Sequence, residues 1–245
     1  MRMPWIIAHR GASAYAPENT LAAFECAVQL GSTFIETDLH LTRDARFVAI
    51  HDHTLDRTTN GHGSVHDYTL AELRDLDAGK WFDREFMGEK IPTLEEVLDF
   101  SREHDVVFYL EVKYDVAWAM HHALVAALRH AESAARTVVI SFDPTTLRAI
   151  RKLDPSLMLG LLVDKTDQDF VHIATSVGAR QVCAASAVVT PELVAKAHQS
   201  DLHVVAWTVN SVDEMRAMIA AGVEGIMTDF PARIRAALED AVASA

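Results

Sequence analysis

Short apolar runs rich in β-branched and aromatic residues alternate along this chain with stretches whose apolar residues recur every three or four positions. The runs at 5–9, 33–40, 47–50, 106–112, 137–142, 157–163, 180–184, 203–209 and 225–228 predict strands. Treating 33–40 and 47–50 as one bent or paired element leaves eight. Between strands, Leu21, Phe24 and Val28 mark a helix closed by Gly31, and Phe170, Ile173, Ala174 and Val177 mark another closed by Gly178. Helix starts are equally visible. Thr93-Leu94-Glu95-Glu96 and Ser211-Val212-Asp213-Glu214 fit a capping box, and Asp143-Pro144 and Thr190-Pro191 each place a cap before a proline at the first helical position. Eight βα units predict a (β/α)8 TIM barrel, with right-handed crossovers closing it; a doubly wound open sheet is the competing α/β arrangement. The barrel is favoured because polar groups recur where strands stop and because Gly11-Ala12-Ser13 lacks a G-x-G-x-x-G fingerprint. The alternation breaks between Asp52 and Pro92. Asn60-Gly61, His62-Gly63, a capped short helix at Thr69-Leu70-Ala71-Glu72 and Gly79-Lys80-Trp81-Phe82 predict a small inserted subdomain, about 52–92, at the rim of a single domain spanning 1–245.

Composition narrows the partners. A formal net charge of −13 opposes binding to nucleic acid or to an anionic membrane surface, so an anionic ligand needs a local cluster of Arg, Lys or metal. The two cysteines, Cys26 and Cys183, lie in helical and apolar contexts and predict buried, reduced thiols. Met1 to Ala8 is too short for a signal-peptide core before His9 and Arg10, and no later run approaches a membrane span. The expectation is a soluble, cytoplasmic protein without stable membrane association; its oligomeric state is left open.

Candidate chemistry gathers at strand ends. Glu36 and Asp38 are two apart in Thr33-Phe34-Ile35-Glu36-Thr37-Asp38-Leu39-His40, so a strand aims both carboxylates at one spot. Glu111 in Glu111-Val112-Lys113 adds a third. Carboxylates in an apolar run repel one another unless a cation holds them, and oxygen donors suit Mg²⁺ or Ca²⁺, with Mn²⁺ also admissible. His9 and His51 each end a strand beside a charged neighbour and form a candidate acid and base pair, here with His9 as base and His51 as acid. The other eleven of the thirteen histidines lack such placement and are expected mostly in solvent. Arg10 and Lys113 bring positive charge beside the carboxylates, where they either pair with them or contact a phosphate, or do both in turn. Trp207 is either core or an apolar wall for the carbon part of a ligand. Asp229 reads as a helix cap.

The blocks His9-Arg10-Gly11, Pro17-Glu18-Asn19-Thr20, Glu36-Thr37-Asp38, His51-Asp52 with Leu55-Asp56-Arg57-Thr58-Thr59, Glu111-Val112-Lys113, Trp207-Thr208-Val209-Asn210 and Gly222 to Pro231 resemble, in order, those of the glycerophosphodiester phosphodiesterase family. Glu224 and Asp201 depart from the family pattern, which often has Asp and Gly there. The resemblance implies a (β/α)8 barrel with an insertion and metal-dependent hydrolysis of glycerophosphodiesters to sn-glycerol 3-phosphate and an alcohol. Carried over by position, it implies Glu36, Asp38 and Glu111 as metal ligands, His9 and His51 as acid and base, and Arg10 and Lys113 as phosphate contacts. Three rivals stand beside it: cleavage of lysophospholipids or phosphoinositides, a non-catalytic barrel that binds phosphate esters, and an aldolase or isomerase suggested by architecture alone.

Overall fold

The computed structural model describes residues 3–113, 118–165 and 168–243. Nine strands form one sheet: β1 Trp5–Ala8, β2 Phe34–Leu41, β3 Phe47–Ala49, β4 Val107–Val112, β5 Thr137–Ser141, β6 Met158–Val163, β7 Gln181–Ala185, β8 His203–Trp207 and β9 Gly225–Thr228. All except β3 pair in parallel with both neighbours, and β1 meets both β9 and β2, so eight strands close into a barrel. Helices α1 Leu21–Gln29, α3 Leu94–His104, α4 Trp118–His130, α5 Pro144–Leu153, α6 Phe170–Ser176, α7 Pro191–His198, α8 Val212–Ala221 and α9 Pro231–Ala243 follow the strands, with the short α2 Leu70–Arg74 lying between β3 and α3. Among the described residues no helix is long and apolar enough to cross a membrane.

Strand alternation sorts the core into two layers. One set, Ile7, Tyr109, Val138, Ile140, Leu162, Cys183, Val205 and Met227, fills the barrel interior. The interior is full. A Cβ on Gly160 would stand 3.0 Å from Ile140 and 3.1 Å from Cys183 Sγ, so β6 presents no side chain there. The second, larger set packs helices against the outside of the strands. Within it Phe24 of α1 lies edge-to-face with Phe108 of β4 at 5.2 Å and with Phe100 of α3 at 5.9 Å, contacts worth about 0.5–1.5 kcal/mol each beyond area burial. That cluster fixes α1, and with it the preceding loop that carries Arg10, Glu18 and Asn19.

Local signals in the chain account for most helix starts. Thr69, Thr93 and Ser211 form complete capping boxes with Glu72, Glu96 and Glu214. Asp143 and Thr190 cap helices that have proline in the first turn. Strand β3 differs from the other eight. It runs antiparallel to the last residues of β2, with Leu39 opposite Ala49 and Leu41 opposite Phe47, where β2 has outrun β1. This hairpin turns the chain back, and Ile50 N–H donates to the Asp38 carbonyl at 3.0 Å. From there residues 52–92 build a small apolar cluster of their own, in which Leu55, Val65, Leu73, Ala78 and Ile91 pack on Val48 and Ile50. Arg74 ties it to α3 through a bidentate pair with Glu96 at 2.8 and 2.9 Å.

Candidate active site

Alternation in β2 and β4 turns Glu36, Asp38, Tyr109 and Glu111 inward, with Asp38 beside Glu111 in register. The polar side chains stand one layer above the apolar fill, at the C-terminal ends of the strands. Glu36 and Asp38 are 1% exposed and Glu111 9%, so water screens them little. One oxygen of each lies within 4.8 Å of the others. Two oxygens on opposite sides of a Ca²⁺ at about 2.4 Å stand about 4.8 Å apart, so one hard cation can bridge this set.

The surroundings hold each carboxylate differently. Asp38 Oδ1 pairs with Lys113 Nζ at 2.7 Å, and Asp38 Oδ2 accepts from Asn19 Nδ2 at 2.8 Å with Arg10 Nε at 3.5 Å. Burial would raise its pKa, but Lys113 and Arg10 together hold it well below the usual carboxylate range. Among the described residues Glu36 accepts one hydrogen bond, from the Arg10 backbone N–H at 2.9 Å. Burial and the neighbouring Asp38 and Glu111 push its pKa well up. Burial and Asp38 likewise push Glu111 up to about 7, despite its pair with Lys113 Nζ at 2.7 Å. Two of the three acids are therefore under-compensated. Among the described residues bonded into this network, the six carboxylates of Glu18, Glu36, Asp38, Asp52, Glu111 and Asp229 are accompanied by three permanent cations, Arg10, Arg57 and Lys113. Hard oxygen donors with a deficit of positive charge fit a divalent cation.

Each candidate histidine is oriented by a carboxylate. His9 follows β1; its Nδ1 is 2.7 Å from Asp229 Oδ1, and its Nε2 is 4.0 Å from Glu36 Oε2. Asp229 also accepts from the Ser13 hydroxyl at 3.0 Å and from Asn210 Nδ2 at 2.7 Å. It is the partner of His9 rather than a helix cap, which corrects the expectation from sequence. His51 Nδ1 is 2.6 Å from Asp52 Oδ1. Burial, with help from Lys113 and Arg10, lowers the His51 pKa against the pull of Asp38 and Asp52. His51 arrives not at the end of a barrel strand but on the returning arm of the β2–β3 hairpin.

Arg10 and Lys113 both pair with the acidic cluster and both border it. Arg10 Nε is buried and has no hydrogen-bond partner among the described residues. Trp207, at the end of β8, packs on the barrel interior, donates from Nε1 to the Cys183 carbonyl at 2.8 Å and meets Phe142 edge-to-face at 5.7 Å. The pair forms an apolar wall on one side of the rim. A cavity of about 310 Å³ opens beside it, lined by Phe142, Leu162, Lys165 and Phe170, and another of about 310 Å³ opens beside His9, Arg10, Glu18 and Asp229. Sequence reasoning assigned no role to Asn19, Asp52 or Asn210, and it grouped His40 with the histidines expected mostly in solvent. His40 is half-buried, with its Nε2 3.0 Å from the His51 carbonyl. The cysteines are both free, Cys183 buried and Cys26 half-buried.

Comparison with known proteins gives a consistent result. Residues 9–233 match the model of the glycerophosphoryl diester phosphodiesterase family. A glycerophosphodiester phosphodiesterase of Caldanaerobacter subterraneus is 40% identical over 228 residues, covering 92% of this chain and 94% of its own. One from Bacillus subtilis is 35% identical over 248 residues, covering 92% and 83%. Among solved structures, an Oleispira antarctica phosphodiesterase in complex with the product sn-glycerol-3-phosphate superposes with a TM-score of 0.88 at 28% identity, covering 97% of each chain. A glycerophosphodiester phosphodiesterase from Agrobacterium tumefaciens gives 0.84 at 29% identity, covering 96% of this chain and 100% of its own.

Proposed function

This chain belongs to the glycerophosphoryl diester phosphodiesterase family and is a phosphodiesterase, and we propose that it hydrolyses glycerophosphodiesters to sn-glycerol 3-phosphate and an alcohol at the Glu36–Asp38–Glu111 rim. The observation that carries the reading is the convergence of three buried carboxylates between two cationic side chains and two imidazoles, each imidazole held by its own carboxylate. Glu36, Asp38 and Glu111 hold a divalent cation, Mg²⁺, Ca²⁺ or Mn²⁺. A cation held by these residues would supply Lewis-acid polarisation of the phosphoryl group and would offset charge on its oxygens.

The chain's own groups do the rest. Arg10 and Lys113, already paired with the acidic cluster, donate to the non-bridging phosphoryl oxygens and orient the phosphorus for in-line substitution. The lowered pKa of His51 favours a neutral imidazole at neutral pH, which suits the base that takes a proton from the nucleophile. His9, placed between the carboxylates of Asp229 and Glu36, then protonates the departing alkoxide. This reverses the order read from sequence, where nothing distinguished the two environments. Trp207 and Phe142 wall the carbon part of the substrate. The acidic balance of the chain supports small glycerophosphodiesters over lysophospholipids, whose acyl chains call for a membrane-facing surface.

The test is release of sn-glycerol 3-phosphate from glycerophosphocholine and glycerophosphoethanolamine by chelated enzyme, with each of the three cations restored in turn. Activity should return with cation and fall about 10²–10⁴-fold in His51→Ala. No release with any of the three cations would overturn the reading.

A further inference from the structure

The block Leu55–Thr59 has no part in the chemistry above, yet its arginine lies at the centre of a chain of ion pairs. Arg57 Nε and Nη2 donate to the Asp52 carboxylate at 2.7 and 3.1 Å, and Nη1 and Nη2 donate to the Glu18 carboxylate at 2.7 and 2.8 Å. One guanidinium thus uses two edges to clamp two acids. Each acid is also committed to the site: Glu18 Oε1 accepts from Arg10 Nη1 at 2.9 Å, and Asp52 Oδ1 holds His51 Nδ1 at 2.6 Å. The Glu18 and Asp52 side chains are only 13% and 27% exposed while Arg57 itself is 43% exposed, so the acids are sheltered, solvent screens the guanidinium in part, and the clamp acts through its bidentate geometry.

We propose that Arg57 is a positioning residue for phosphodiester cleavage: by locking Glu18 to Asp52 it sets Arg10 and His51 in fixed relation across the rim before substrate binds. The inference rests on the function proposed above. Arg10 comes from the loop after β1 and His51 from the returning arm of the hairpin, and the ladder Arg10–Glu18–Arg57–Asp52–His51 joins them through side chains. Without Arg57, the Glu18 and Asp52 carboxylates lose their shared counter-charge, and Asp52 is free to turn away from the His51 ring. A misplacement of about 1 Å in a reacting group costs about 10²-fold in rate. Lysine cannot replace the clamp, because a single ammonium lacks the planar fork that makes two bidentate pairs. This also gives residues 52–92 a task, to carry that guanidinium to the rim.

Steady-state kinetics on glycerophosphocholine with Mg²⁺ present, alongside thermal melts, test this with R57Q, R57K, D52N and the double variant R57Q/D52N. R57Q should lower kcat about 10- to 100-fold with KM changed less than about threefold, while its melting temperature stays within a few degrees of wild type. R57K should recover only part of the loss. R57Q should lower kcat of D52N by less than about threefold, since either change breaks the same link between Arg10 and His51. A kcat for R57Q within about twofold of wild type would overturn the proposal. So would a loss carried by KM, which marks direct substrate contact, or single effects that multiply in full in the double variant. Should R57Q not fold, R57K and D52N carry the comparison: R57K kinetics equal to wild type overturn the clamp, and partial loss supports it. An inactive wild type defeats the function proposed above and this inference with it, whereas an active wild type with an unimpaired R57Q defeats the inference alone.

Discussion

Asp229 gathers three segments of the chain onto one carboxylate: His9 after β1, Ser13 in the following loop and Asn210 after β8. Burial works against its ionisation, but the His9 bond and charge, with Asn210 and Ser13, bring its pKa to about 2. It is a carboxylate throughout the neutral range and holds Nδ1 of His9, which leaves Nε2 as the nitrogen nearer Glu36. Asp229→Asn should therefore lower kcat about 10²-fold while divalent cation binding persists, and an unchanged kcat would remove Asp229 from the mechanism. In the sequence, Thr228-Asp229 before Phe230-Pro231 looks like a strand end followed by a helix start, where an acid ordinarily caps. The partner that decides the matter is 220 positions away. Glu36 and Asp38 were legible for the opposite reason: alternation within one strand is a local rule and predicts a shared face, whereas the register that sets Glu111 beside Asp38 appears only in the fold. Asn19 was hidden because its role needs a left-handed backbone, φ 57°, that turns its amide onto Asp38 and Thr37.

At the scale of elements, the turn after β1 is the most constrained piece of the site. Arg10 and Gly11 are both left-handed, at φ 55° and 82°, and a Cβ on Gly11 would stand 2.7 Å from the Ala23 backbone and side chain. The same turn presents the Arg10 N–H to Glu36. Gly11→Ala should cost roughly 2–4 kcal/mol through strain and overlap with α1, read by urea unfolding, and a loss below about 0.5 kcal/mol would contradict this close approach. Most other elements were legible because their signals are local. Capping boxes and first-turn prolines lie where the sequence puts them, and the predicted strands at 203–209 and 137–142 overrun the observed ones by a residue or two, because the apolar run continues into Phe142 and Val209 after pairing stops. Strand β3 was less legible. Its composition matches its neighbours, and its reversed direction comes from the hairpin that pairs it with the projecting end of β2. Asp201, which departs from the family's glycine, keeps the left-handed backbone at φ 55°, a conformation Asp tolerates better than most residues. Glu224 spends its carboxylate on the Val204 N–H and His198, at the opposite end of β8 from Trp207.

For the molecule as a whole, the barrel converts eight separate strand ends into one rim, and an acidic chain concentrates its buried charge there. The eightfold alternation is compatible with this closure, and the polar groups recurring at strand ends favoured it over an open sheet; in the barrel β1 pairs with both β2 and β9, so no edge of the eight is left unpaired. The charge balance of the rim depends on many side chains at once, which one-dimensional reading does not sum. Its signature is a dependence of stability on pH. With cation chelated, Glu111 titrates from an ordinary value near 4.5 when unfolded to about 7 when folded, and Glu36 shifts the same way. The folded state then binds more protons in this window, so these groups lose stability as pH rises from about 4.5 through about 7. A bound cation needs the carboxylates ionised, so its stabilising effect must grow over the same window. The decisive measurement is the melting temperature of the chelated protein with and without saturating Mg²⁺ or Ca²⁺ at pH 5 and pH 8. A cation at about 100-fold its dissociation constant should add about 2.7 kcal/mol, or roughly 5–10 °C for a chain of this length, at pH 8, much less at pH 5, and little at either pH in Glu111→Gln. A melting temperature that neither ion moves at pH 8, or that moves equally in Glu111→Gln, would contradict a cation held by these three acids.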